Sequence, residues 1–288
     1  MSAPPAFRGP PAFRGPSAFR GPSAFGGDLR RVGNLTVMLA RTDFKVRFFG
    51  SMLGYVWTLV RPLLLFGVLY LVFTKVVRFG DGVPHYPVYL LMSLMLFSFF
   101  GETTSRGVTS LVDRESLLRK MRFPRVAIPL SVALHSTFYL GLNLLVVFVF
   151  VFANGIEPRW SWFELIPLVA ALILLATSIA MLVSALFVRY RDVQPIWEVI
   201  LQILFYASPV IYVVTDMPAS IQQEAVANPI AAILTQIRHS LIDPGAPTAG
   251  EAIGGDVYLL IPLAIIVILA ALGLWVFMRE APRIAEDL

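Results

Sequence analysis

RESLLRKMRFPR, residues 114–125, lies between two long apolar runs and carries five basic residues and one acid in twelve positions. The rest of the chain is its opposite. Of 288 residues, 57% are hydrophobic and only 14% are charged, and 22 are Phe. A soluble domain needs a more charged surface than that. The runs on either side of the cluster are 18 or more mostly apolar residues long, the length of a helix that crosses a bilayer. The cluster therefore reads as a loop between two spans of an all-α integral membrane protein.

Working outward from it, the sequence offers six candidate spans. They run over residues 53–77, interrupted by Arg61-Pro62, then 87–110, ending in the polar GETTSRG, then 127–153, 162–187, 195–213 and 257–278. Ahead of them, 29–49 places Leu35, Leu39, Val46 and Phe49 at helical spacing, with Thr42 in the same stripe and Arg41, Lys45 and Arg47 off it. A helix with one apolar and one basic face lies in the membrane interface. Residues 1–28 repeat PAFRGP, PAFRGP, SAFRGP and a decayed SAFGG. Pro and Gly at this density oppose regular structure, so the expected division is a disordered tail over 1–28 and one transmembrane domain over 29–288. The spaced Arg and Phe of the tail also suit contact with anionic headgroups. No signal peptide is recognisable.

Charge sets the orientation. With the N-terminus inside, the inner segments hold seventeen Lys and Arg and the outer ones four: Lys75, Arg78, Arg159 and Arg238. The positive-inside rule then puts both termini in the cytoplasm. The connection 214–256 is outside and long, and within it IQQEAVANPIAAILTQIRHSLI (221–242) breaks at Asn228-Pro229 into halves too short to span. Two short helices dipping into the outer leaflet are expected, with a solvent-exposed helical hairpin as the alternative.

In this topology 114–125 faces the cytoplasm. Leu117, Leu118 and Met121 share one face of a short helix, Arg119 and Arg122 lie on another, and Pro124 ends it. These charges either do no more than fix topology or belong to a docking helix that inserts into a groove on a cytoplasmic partner. The chain has no Gly-x-x-x-x-Gly-Lys-Ser/Thr phosphate loop, so it is not its own nucleotide hydrolase. A docking helix on such a bundle implies a motor on a separate subunit. Cysteine is absent, which excludes disulfides, zinc-thiolate sites and cysteine nucleophiles.

Further motifs recur in order. DFKVRFFGSMLGYVWTLVRPLLLF (43–66) resembles the segment at the start of the first span in permease subunits of ABC-2 type polysaccharide exporters, such as those for O-antigen, teichoic acid and cell-wall galactan. The matching residues are Lys45, Arg47, Ser51, Leu53, Gly54, Tyr55, Trp57 and Pro62. RKMRFPR (119–125) looks like that family's coupling helix, FVRYRDV (187–193) like its short loop after the fourth span, and SPVIY (208–212) with Asn228-Pro229 like its outer gate. The resemblance covers residues 30–285 and leaves the N-terminal repeat outside. It implies a homodimer of permeases with two copies of a cytoplasmic ABC ATPase, moving a polyprenyl-diphosphate-linked glycan from the inner to the outer leaflet of the bacterial inner membrane. Mg-ATP would be bound by the ATPase, with no cofactor in this chain and no nucleic-acid partner. Leu117, Leu118, Arg119, Met121 and Arg122 would then couple the ATPase to the bundle.

The residues supply matching chemistry. Sugar C–H faces stack on aromatic rings, and the candidates for a glycan-stacking channel are Tyr55, Trp57, Phe97, Phe100, Phe138, Tyr139, Phe205, Tyr206 and Tyr212. Aromatic residues are also common in spans for packing alone. Tyr139, Tyr206 and Tyr212 stand out because a phenol in hydrocarbon needs a partner. A diphosphate is met by Arg and Lys, here Lys45, Arg47 and Arg61 beside Ser51, with Arg106 helping to draw in the headgroup. Arg61 sits where a charge costs about 2.5–3.5 kcal/mol on insertion scales, and so either faces a cavity or snorkels to the inner interface. Glu102 and Arg106, spaced i, i+4, read first as an ion pair. His135 reads as a hydrogen-bonded bundle histidine sooner than as a proton relay. Neither a Ser-His-Asp set nor a carboxylate pair shares one pocket, and no catalytic site or metal-ligand spacing is found.

Other readings are an ABC-2 permease for a lipid or drug, a polytopic glycosyltransferase, or a secondary transporter. The glycosyltransferase needs interfacial acids, of which the cytoplasmic loops have only Asp113, Glu115 and Asp192. The secondary transporter needs paired intramembrane charges or inverted repeats.

Overall fold

Backbone buried in hydrocarbon must satisfy its own hydrogen bonds, and helices do so within one segment. A computed structural model describes residues 29–48, 52–76, 82–120 and 124–281, and no strand occurs among them. In chain order the helices are α1 (Leu29–Phe48), α2 (Met52–Leu71, prolonged by a π-helical turn Val72–Val76), α3 (Tyr86–Thr109), α4 (Glu115–Lys120), α5 (Ala127–Ala153) and α6 (Leu165–Arg189). There follow α7 (Val193–Ala207), α8 (Ala219–Ala227), α9 (Pro229–Ile237), α10 (Ala249–Ile253) and α11 (Leu260–Glu280). The N-terminal repeat, Phe49 and the loop residues Met121 and Arg122 lie outside the described residues.

Among the described residues, four helical stretches are long and apolar enough to cross a membrane: Tyr86–Thr109, Ala127–Ala153, Trp160–Arg189 and Asp256–Glu280. The first and fifth expected spans correspond to shorter apolar stretches, Val60–Thr74 and Val193–Ala207. The fifth is short for a local reason. Pro209 disfavours helix at the residue before it, and Ser208 is extended, φ −103° and ψ 146°. The 15 residues of α7 rise about 22 Å, less than a hydrocarbon core of about 30 Å. The chain continues from there as a non-helical stretch, 208–213.

α3 is the centre of the bundle and packs against α2, α5, α6 and α7. Its consecutive residues Leu90, Leu91, Met92, Leu94, Met95 and Leu96 are all buried, as befits a helix apolar on every side. α11 is one-sided. Pro262, Ile266, Gly273 and Phe277 face α6, while Leu263, Val267, Ile268 and Leu274 are exposed, an outward apolar surface that suits lipid. Two glycines set the closest approaches. A Cβ on Gly107 would lie 2.6 Å from the Ala180 Cβ, and one on Gly273 would lie 2.3 Å from the Ser178 carbonyl oxygen. α6 therefore carries small residues towards both α3 and α11, the means by which helices approach in lipid.

α1 lies along α5. Val32, Thr36 and Ala40 are buried against it, Leu35 and Leu39 are half-buried, and Arg41 and Lys45 are exposed, so the basic face points away from the bundle. Between α7 and α10, α8 and α9 meet at Asn228, whose side chain accepts from the Ile230 N–H and caps α9. α9 is buried at every position except Gln236, which leaves no solvent-exposed hairpin at this half of the segment.

Candidate functional site

Three helices each turn one face into a common cleft of about 910 Å³. α2 contributes Trp57, Arg61, Pro62 and Leu65. α3 contributes Ser98, Phe99, Gly101, Glu102, Ser105 and Arg106, and α5 contributes Ser136, Tyr139, Leu140 and Asn143. The spacing within each set is that of one helical face. The lining mixes charge, hydroxyls, an amide and aromatic rings, a composition out of place on a lipid-facing surface.

Its electrostatics follow from two arginines. Arg106 Nη2 is 2.9 Å from Glu102 Oε1, one turn away on α3, and both side chains are about a third exposed. Arg61 is exposed and has no ion pair among the described residues. The described residues of the cleft thus carry one net positive charge. Trp57 is 56% exposed at its mouth, and Tyr139 is buried in its wall with its ring 4.8 Å from that of His135.

Of the residues singled out in the sequence, Arg61, Arg106, Trp57 and Tyr139 come together here. Phe138 is half-exposed on α5 and stacks edge-on against Phe44 of α1, 4.9 Å between centroids. A second aromatic group lies between α3 and α7, with Phe97 edge-on to Phe205 at 5.2 Å and Phe205 edge-on to Tyr206 at 5.3 Å. The Tyr212 hydroxyl donates to the Tyr206 carbonyl, 2.9 Å. Phe100 is fully buried beside Phe97 in the core and offers no surface to a ligand in this chain. Lys45 lies apart from the cleft, on the exposed face of α1 with Arg41. Arg47, Tyr55 and Arg119 belong to α1, α2 and α4, but their side chains, like Ser51, Met121 and Arg122 as whole residues, lie outside what is described.

The loop at 114–125 divides its leucines. Leu118 is buried in a cluster with Val32, Leu111, Val126 and Ile128, whereas Leu117 is exposed. Arg114 bonds both Asp43 of α1 and the Ser131 hydroxyl of α5, the latter at 2.9 Å. Sequence reasoning missed that clasp, since Asp43 and Arg114 are 71 residues apart and open two separate motifs. It also missed Ser136 and Asn143, polar residues one turn to either side of Tyr139 on the cleft face of α5. Their period on an otherwise apolar span was the available signal.

At the end of the bundle where α3 begins, the 208–213 stretch is strapped to α3. The Tyr86 hydroxyl donates to the Ile211 carbonyl at 2.5 Å, and Tyr89 bonds the Pro209 and Tyr212 carbonyls. Asn228 Nδ2 donates to the Ser208 hydroxyl at 2.9 Å, which joins the start of this stretch to α9. Arg238, counted above as an outer-loop charge, is buried. It lies 3.5 Å from Asp243 and 5.8 Å above the Tyr89 ring.

A bundle of apolar helices with a polar cleft set into it defines a multi-pass α-helical membrane protein. The ABC-2 type transporter family model matches residues 34–242, and the chain belongs to that family. It is 29% identical over 206 residues to the O-antigen export system permease protein RfbA of Klebsiella pneumoniae, covering 71% of this chain and 79% of the relative. The protein of the same name from Myxococcus xanthus is 29% identical over 229 residues, 77% of this chain and 85% of the relative. The polysialic acid transport protein KpsM of Escherichia coli is 20% identical over 212 residues, 73% and 82% respectively.

Proposed function

We propose that this chain is the membrane-spanning subunit of an ATP-driven exporter that carries polyprenyl-diphosphate-linked polysaccharide from the cytoplasmic to the outer leaflet of a bacterial inner membrane. The relatives named for O-antigen export and polysialic acid transport support the cargo class. The observation that carries the reading is the cleft, in which Arg61, without an ion pair among the described residues, stands among aromatic and hydroxyl side chains. A diphosphate needs the first and a sugar the second. α2 and α7 complete a set of six spans, both termini lie in the cytoplasm, and α8 and α9 enter the outer leaflet without crossing it. Two copies of the chain assemble with two copies of a cytoplasmic ABC ATPase. The Leu117 side of the 114–125 loop enters a groove on that ATPase, while Leu118 and the Arg114–Asp43 clasp hold the loop to the bundle. Arg61, with Lys45, Arg47, Ser51 and Arg106 towards the cytoplasmic end, meets the diphosphate, and the aromatic side chains pass the glycan outward.

Purification in mild detergent followed by mass determination of the intact complex tests the assembly. Two copies of this chain with two of a subunit bearing a nucleotide phosphate loop are expected. Recovery of the folded chain alone would contradict it and favour an enzyme or a secondary transporter.

A further inference from the structure

Two polar groups in the cleft stand unmatched by the described residues. The Ser136 hydroxyl and the Asn143 Oδ1 are buried and have no hydrogen-bond partner among the described residues. Ser136 is only 2% exposed. A buried polar atom left unmatched is destabilising, and a native protein keeps one where something else meets it. Both residues line the cleft from the same face of α5, with Tyr139 between them. Seven residues separate them, about 10 Å along the helix. Across the cleft stand Trp57 and Arg61 on α2 and Ser98 on α3.

The chemistry of these atoms selects their ligand. Acyl or polyprenyl chains would leave both groups unmet. A diphosphate is an acceptor only; it satisfies the guanidinium of Arg61 but not the carbonyl oxygen of Asn143, which needs a donor. Sugar hydroxyls donate and accept at once, and so match Asn143 and Ser136 together. The apolar face of the same sugar ring has Tyr139 and Trp57 to lie against. The cleft thus divides its labour between a cation for phosphate and an uncharged wall for carbohydrate.

We propose that Ser136, Tyr139 and Asn143 of α5, opposite Trp57, form a carbohydrate subsite that reads the sugar attached to the lipid diphosphate held by Arg61. The inference rests on the export reading above and adds to it a place where cargo is distinguished from bare carrier lipid. The subsite makes the glycosylated lipid the better ligand of the inward-facing cleft, so that carrier without sugar is not taken up in its place.

The test compares two probes on the purified full chain in lipid nanodiscs: undecaprenyl diphosphate, and undecaprenyl diphosphate bearing one N-acetylhexosamine. The glycosylated probe is expected to bind about ten-fold more tightly than the bare one, the size of one or two hydrogen bonds to groups otherwise unmet. Ser136→Ala and Asn143→Leu should each remove most of that preference and leave the affinity for the bare lipid unchanged. Arg61→Gln should weaken both probes alike. The Tm of the ligand-free protein separates a binding role from a structural one. It should hold or rise in S136A and N143L, because each removes an unmatched polar atom. Loss of both lipids together with a lowered Tm would make these residues structural and overturn the subsite. Equal binding of the two probes by the wild type, with R61Q weakening both, would also overturn it while leaving the headgroup site intact. Failure of the wild type to bind either probe would defeat the lipid-diphosphate cargo itself, and the subsite with it.

Discussion

At the scale of the residue, the end of the bundle where α3 begins depends on groups that are individually small. Tyr89 is buried beneath Arg238 and gives its hydroxyl to the chain at 208–213. Tyr89→Phe keeps the ring and removes that bond, leaving the Pro209 and Tyr212 carbonyls short of a donor. A loss of about 1–3 kcal/mol is expected, read as a lowered Tm in detergent. Asp243→Asn is a sharper case. It leaves the buried Arg238 without its counter-charge, at a cost of about 3–5 kcal/mol, and the Tm should fall further than for Tyr89→Phe. An unchanged Tm in D243N would mean that Arg238 reaches water or another anion. The candidate site shows what sequence alone reveals at this scale. Arg61 and Arg106 were legible because a charge inside an apolar run is conspicuous. Ser136 and Asn143 were not, because Ser and Asn are common in spans and their unmatched atoms appear only once neighbours are in place. Among the aromatic candidates, Phe100 and Tyr139 look alike in a hydropathy pattern, and only packing separates the core ring from the cleft wall.

At the scale of the element, the long apolar helices were legible because the bilayer fixes their length and the backbone allows no alternative. Their mutual arrangement was not. It rests on Gly107 against Ala180 and Gly273 against Ser178, contacts between residues far apart in sequence. Gly273→Leu should push α11 from α6 and cost about 1–3 kcal/mol or more, whereas Gly67→Leu on α2, where a Cβ meets open space, should be tolerated. Comparison of their thermal stabilities in the same detergent checks the point, and equal Tm values would contradict it. The 114–125 loop behaves as an element with two sides. Leu118 and the Arg114–Asp43 bond anchor it to the bundle, and Leu117 is exposed on the other side. Reversing the charge of Arg119 and Arg122 should uncouple ATP hydrolysis from export while the protein stays in the membrane. Normal export by that variant would reduce the cluster to a topology signal.

At the scale of the whole molecule, the cleft is what the proposed task depends on. Export of a lipid-linked polymer requires a protein that holds a charged headgroup within the membrane and lets sugars slide past aromatic surfaces. The cleft between α2, α3 and α5 begins at the charged pair Glu102–Arg106 near the C-terminal end of α3 and reaches Asn143 on α5. What the sequence could not convey is that α2, α3 and α5, of which α2 and α5 are separated by a whole span and a loop, close around the same space. The measurement that tests the account most directly is made in cells producing Arg61→Gln in place of the wild type. Surface polysaccharide, cytoplasmic lipid-linked glycan and the membrane level of the protein are quantified together. Surface polysaccharide should fall at least ten-fold while lipid-linked glycan accumulates inside and the protein level stays near wild type, as expected when a charge-assisted phosphate contact is lost. Normal surface polysaccharide, or a loss that merely follows a fall in the protein itself, would contradict a transport role for Arg61 and with it the cleft as the path of the cargo.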